Sequence, residues 1–141
     1  MARASKGGFA SDDAGKLVLR LALGILILLH GVSKLFGGVS GIAGMLGRHG
    51  LPAELAYLVY VGEIVAPLLI LVGVMTRLAA WVVAINMVVA ILLAHTRELF
   101  SLSPTGGWAL ELQGMFLATS VAVALLGAGR YSMGGAGGRF N

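Results

Sequence analysis

Four apolar runs, each close to twenty residues, constrain this chain more than anything else in it. They are Leu17–Phe36, Leu55–Val74, Leu78–His95 and Trp108–Leu126. A helix needs about 20 such residues to cross a hydrocarbon layer about 30 Å thick. Period-two alternation is missing, which argues against a transmembrane barrel. Charged residues are 11% of the 141, against roughly 25% in soluble domains, and the mean hydropathy is +0.95. The expected fold is an all-α membrane protein, a four-transmembrane-helix bundle. Short connections leave no room for a separate soluble domain. Residues 16–133 are therefore expected to form one membrane domain, with flexible cytosolic tails at 1–15 and 134–141.

The first run begins only at Leu17, is long enough to span, and has no small-residue cleavage pattern after it. It reads as a retained span rather than a signal peptide. Arg3, Lys6, Lys16, Arg20, Arg77, Arg130 and Arg139 fall on one side of the expected membrane, and Lys34, Arg48 and Arg97 on the other. That bias places both termini in the cytoplasm. The net charge of +4 is scattered over span ends without a basic stripe, so nucleic acid is a poor partner. No cysteine is present, which excludes a thiol relay, an Fe–S cluster, a thiolate metal site and a disulfide within this chain.

Breakers divide the runs. Gly37-Gly38 is expected to stop the first helix. In Val39–Pro52, Ile42, Met45 and Leu46 share a helical face, so a short interfacial helix is expected in the first outer loop. Pro67 lies four residues after Glu63 and removes the amide that would bond its carbonyl, so a kink or opening is expected there. Ser103-Pro104-Thr105-Gly106-Gly107 breaks the second outer loop, and Trp108 follows as an interface anchor.

Charges inside a bilayer cost about 2.5–3.5 kcal/mol each on insertion scales, so those that occur there mark sites. At about 100° per residue, Arg20, Gly24, Ile27, His30, Gly31 and Lys34 share one arc of the first span. Small residues on that arc allow close helix approach. Glu63 is about nine residues into the second span from its outer end, roughly 13 Å deep. His95 and Glu111 stand at the outer ends of the third and fourth. One outward-opening polar pocket of His30, Lys34, Glu63, His95 and Glu111 is the expectation.

Several chemistries suit such a pocket. It could be a structural ion-pair cluster that fixes packing. It could hold a quinone head group, with His30 and Lys34 donating to the quinone oxygen, Glu63 and Glu111 carrying protons, and His95 as a second donor or carrier. A metal at His30, Glu63, His95 and Glu111 is a minor alternative, since no local ligand pair supports it. A proton or ion path is the last. Asn86 lies on the face opposite His95 and reads as an interhelical hydrogen bond. Arg20, Arg77 and Arg130 read as snorkelling to lipid phosphate.

The residues also carry a resemblance. Arg20 through Phe36 with His30-Gly31 and Lys34, Gly50-Leu51-Pro52, Gly62-Glu63, Gly73 through Arg77, Ala90 through His95, Gly106-Gly107 with Glu111, and Gly127 through Ser132 stand in the order seen in the DoxX family of small four-helix bacterial membrane proteins. The chain resembles that family from about Lys16 to Met133. Two positions depart from its pattern: Met133-Gly134 replaces a common acidic residue, and Ala66-Pro67 stands where small glycines are usual. The resemblance implies association with oxidoreductase systems, as in thiosulfate:quinone oxidoreductase subunits and in partners of superoxide-detoxifying or sulfur-handling proteins. The resulting expectation is a redox-associated membrane protein engaging quinone and working with an oxidoreductase or detoxification partner, as an oxidoreductase subunit or as a non-enzymatic scaffold. The scaffold's docking surface would be the termini, Arg77 and Gly129–Ser132. Its small-residue faces would also permit a homo-oligomer.

Overall fold

The computed structural model describes residues 6–141; Arg3, counted above in the charge bias, lies outside them. The chain is helical, and among the described residues extended backbone pairs only at an isolated bridge between Leu102 and Trp108. Helix α1 is Lys6–Gly37, α2 is Ser40–Arg48, α3 is Ala66–Val72, α4 is Thr76–Ala94 and α5 is Glu111–Leu126. The second apolar run is one rod in three parts. A 3-10 stretch (Ala53–Leu58) leads to a π turn (Val61–Val65) and then into α3. Among the described residues, three helices are long and apolar enough to cross a membrane: Ala10–Gly37, Ala53–Val72 and Thr76–Ala94. The fourth, α5, is apolar but has only 16 residues.

Packing closes these elements into a ring. Helix α1 lies against α3, the π turn and α5, while α4 lies against α5, α3 and the π turn. Leu23 and Ile27 from α1, Ile70 from α3, Val83 and Met87 from α4, and Phe116 and Val123 from α5 fill the centre. The expected interfacial helix is α2, whose buried Leu46 joins Val39 and Ala56 in a smaller cluster beneath the first loop. Helix α1 ends where the two glycines predicted it would. Gly38 has φ +77 and its amide bonds the Lys34 carbonyl at 2.8 Å.

The opposite end of the bundle is tied together by arginines, which corrects the snorkelling expectation. Arg20 is 1% exposed, and its guanidinium donates to the carbonyls of Ile70, Leu71, Ala128 and Tyr131 at 2.8–2.9 Å. Ile70 and Leu71 are near the end of α3, where helical carbonyls lack internal partners. Arg77 does the same for Ala124 and Leu125 of α5 and also reaches the Asn141 carbonyl. Arg130 pairs with Asp13 at 2.8 Å, and this contact raises its pKa. Residues 6–15, expected as part of a tail, continue α1 down to that pair; residues 1–5 lie outside the described residues. The 134–141 stretch folds back, and Asn141 accepts from the Thr76 amide and hydroxyl at 3.2 and 3.0 Å.

Candidate functional site

Pro67 shapes the centre of the site. Without an N–H it cannot serve the Glu63 carbonyl, and the rod widens there instead of continuing as an α-helix. The Ala66 amide reaches five residues back to Val61, the bonding pattern of a π turn, which is frequent at functional sites. Glycines let both neighbours close on this turn. A Cβ on Gly31 of α1 would collide with the Glu63 carbonyl, and a Cβ on Gly62 would stand 2.6 Å from Asn86 Cγ of α4. The Glu63 side chain is thereby held between two helices.

Glu63 is 4% exposed. One carboxylate oxygen pairs with the Lys34 ammonium, and the other accepts from Asn86 Nδ2 at 3.3 Å. The side chain of Lys34 is 28% exposed, so the pair is buried on the carboxylate side and open on the ammonium side. Tyr60 donates its hydroxyl to the Lys34 carbonyl at 3.1 Å and fixes the backbone beneath.

His30 sits one turn before Lys34 and is exposed. Its Nδ1 faces the Leu26 carbonyl at 2.9 Å, and its ring stands nearly perpendicular to that of Phe116, 5.6 Å between centroids. A carbonyl only accepts, so Nδ1 carries a proton. In the neutral ring Nε2 is then a bare acceptor. In that form Nε2 accepts a hydrogen bond, whereas a doubly protonated ring donates there, which is the role the quinone reading expects of it.

The remaining two expected members are elsewhere. His95 is nine residues beyond Asn86 on α4, about 13 Å further along the axis. Its Nδ1 bonds Glu98 at 2.8 Å, and its Nε2 lies 3.3 Å from the Gln113 amide nitrogen of α5. Glu111 is exposed in the first turn of α5, with its carboxylate over Gly107. The expected five-residue pocket is therefore divided: Lys34–Glu63–Asn86 with His30 one turn away on α1, His95–Glu98–Gln113 beyond the end of α4, and Glu111 apart from both. Among the described residues, no group of three or more His, Asp or Glu side chains is arranged to hold a metal ion. Every buried side-chain nitrogen and oxygen among them has a hydrogen-bond partner.

Asn86 makes the interhelical bond expected of it, and its acceptor is the central carboxylate. Gln113, Glu98 and Tyr60 went unnoticed in the sequence. Gln113 had a visible signal, being an amide within an otherwise apolar span.

This arrangement of a carboxylate between two helices lies within a stretch that matches a family profile. The DoxX profile matches residues 15–96, more than half the chain. The chain belongs to the DoxX family. This DoxX protein is also 32% identical over 117 residues to a Bacillus subtilis (strain 168) protein named "Putative oxidoreductase CatD", covering 83% of this chain and 82% of the relative. No solved structure matches it. Family membership and the apolar helices together make it a helical membrane protein.

Proposed function

We propose that this DoxX protein crosses the bacterial inner membrane four times with both termini in the cytoplasm, engages quinone or quinol at Lys34, and works with an oxidoreductase partner. The observation that carries the reading is the half-open Lys34–Glu63 pair. Glu63 occupies one of the three N–H bonds of the ammonium, and the exposed side leaves donors for a ligand oxygen. The buried polar atoms are already satisfied, so a head group would add to Lys34 rather than replace a missing partner. His30 and the Phe116 ring supply an acceptor and an aromatic wall beside it. The relative's name supports redox association.

In this reading Lys34 donates to a quinone carbonyl oxygen. His30, with Nε2 as its free acceptor, would accept a hydrogen bond from the hydroxyl of the quinol formed there. Glu63 anchors Lys34, and Asn86 fixes the carboxylate. When bound, quinone would take up two electrons from the partner, since the chain carries no recognisable redox group of its own, and two protons drawn from solvent, and would leave as quinol.

Lipid extraction of the purified protein tests this. Quinone should be recovered from the wild type and lost from the Lys34→Met/Glu63→Gln double variant, which strands no charge and is expected to keep its helicity. If wild-type extracts hold no quinone and quinol analogues leave Tm unchanged, the quinone reading fails. Crosslinking that still captures an oxidoreductase would then leave the scaffold reading, with exposed Tyr131 and Met133 beside Gly129–Ser132 as its contact surface.

A further inference from the structure

On the four-crossing reading proposed above, helix α5 is short for the layer it crosses. Its 16 residues rise about 24 Å, whereas the hydrocarbon core is about 30 Å thick. The 19 residues of α4 rise about 28 Å. The two are flush at the inner end, where Arg77 in the first turn of α4 bonds the Ala124 and Leu125 carbonyls in the last turn of α5. The shortfall is therefore all at the outer end, and α5 stops about three residues below the top of α4.

The 99–110 segment fills that step. It is a small hairpin closed by Ser103 N–H to the Gly107 carbonyl at 2.7 Å and Ala109 N–H to the Ser101 carbonyl at 3.0 Å. It folds down onto α5 rather than away from it. The Trp108 ring covers Gly114, where a Cβ would collide with it, and the indole N–H donates to the Leu99 carbonyl at 2.8 Å. Within this lowered hairpin Phe100 is 99% exposed and Leu102 73%. The tip is polar, with the Ser103 and Thr105 hydroxyls 2.9 Å apart.

We propose that the 99–110 hairpin is a lipid-binding surface that inserts Phe100 and Leu102 into the outer leaflet at the boundary between acyl chains and head groups, with the Ser103–Thr105 tip in water. The backbone bonds within the hairpin lower the cost of that depth, and its unpaired groups confine it to the interface rather than the bilayer centre. Arg97, exposed one turn earlier, is placed for lipid phosphate. The occupant is lipid rather than a second protein because Trp108 holds the hairpin on α5 at Gly114, and the flanking Leu112 and Met115 of that apolar helix are themselves exposed, as are Ile85 and Leu92 of α4.

The absence of native cysteine makes single nitroxide labels unambiguous. Phe100→Cys, Leu102→Cys, Thr105→Cys and, as a lipid reference, Ile85→Cys would be labelled in proteoliposomes of phosphatidylethanolamine and phosphatidylglycerol. Labels at 100 and 102 should relax with oxygen and be shielded from a water-soluble nickel chelate. Their oxygen-to-nickel ratio should be several-fold above that at 105 and below that at 85. Ratios at 100 and 102 equal to that at 105 would overturn the proposal. So would shielding from both reagents, the signature of a protein contact.

Discussion

Gly31 and Glu63 meet backbone to backbone: the carbonyl that Pro67 leaves without a helical amide lies where a side chain on residue 31 would begin. The defect in one rod is thus accommodated by a missing side chain on its neighbour. Close contacts of Cα–H with carbonyl oxygen recur at such crossings.

Gly31→Ala should therefore force α1 away from the second rod. We expect a loss of about 1–3 kcal/mol, the usual cost of overpacking, read as a lower unfolding midpoint in detergent. Gly15→Ala is the control. It lies in the same helix with nothing within 4 Å of its Cβ position, so the helix propensity of alanine should hold or raise the midpoint.

For the Lys34–Glu63 pair, Lys34→Met leaves a buried carboxylate with one partner. Removing one member of a buried pair costs about 3–5 kcal/mol, and the partial exposure of Lys34 should bring this toward the lower end. The double variant Lys34→Met/Glu63→Gln should be more stable than Lys34→Met alone. Additive losses in this cycle would mean that the two groups are not coupled.

Asn86→Ala takes away the donor to the second carboxylate oxygen and the amide that fills the space beside Gly62. A hydrogen bond to a charged group is worth about 1.5–3 kcal/mol, and a drop of that order is expected in thermal unfolding. If quinone is bound at Lys34, its affinity should also fall, because Glu63 is freed to swing. Unchanged stability would remove Asn86 from the site.

Arg20→Lys is expected to be poorly tolerated although charge is conserved. Lysine has no planar fork to span the end of α3 and the 128–131 segment, and four carbonyls would share at most three N–H groups. We expect a loss of about 3 kcal/mol or more by the same unfolding assay, from carbonyls left without donors in a buried place. A Tm within a degree or two of wild type would show that water or lipid replaces the guanidinium.

The helices and the central pair were legible because their signals are local or periodic. The arc on α1 correctly turned Arg20, Gly24, Ile27 and Gly31 inward, since 100° steps over twelve residues accumulate little error. Pro67 announced a break at Glu63, although a π turn and a simple kink have the same sequence signal. The union of His95 and Glu111 with Glu63 failed because it rested on depth alone. Helices α4 and α5 are apolar all round, so their rotation was not encoded in the pattern, and His95 turned to Glu98 and Gln113 instead. Arg20 was misread for a related reason. Its acceptors are backbone carbonyls 50 to 111 positions away, which side-chain chemistry in the sequence does not reveal.

The widened turn at Val61–Val65 has a consequence for how this second rod tolerates change in length. It stores one surplus position in the winding, so the part above it and the part below it are phased about 100° apart from where an unbroken spiral would set them. Deleting a single residue there would heal the spiral and leave both flanking parts on their present azimuths, whereas deleting one from either flank would turn everything beyond the cut by about 100°. The acid would then point at lipid or at the wrong neighbour, with composition and hydropathy almost untouched.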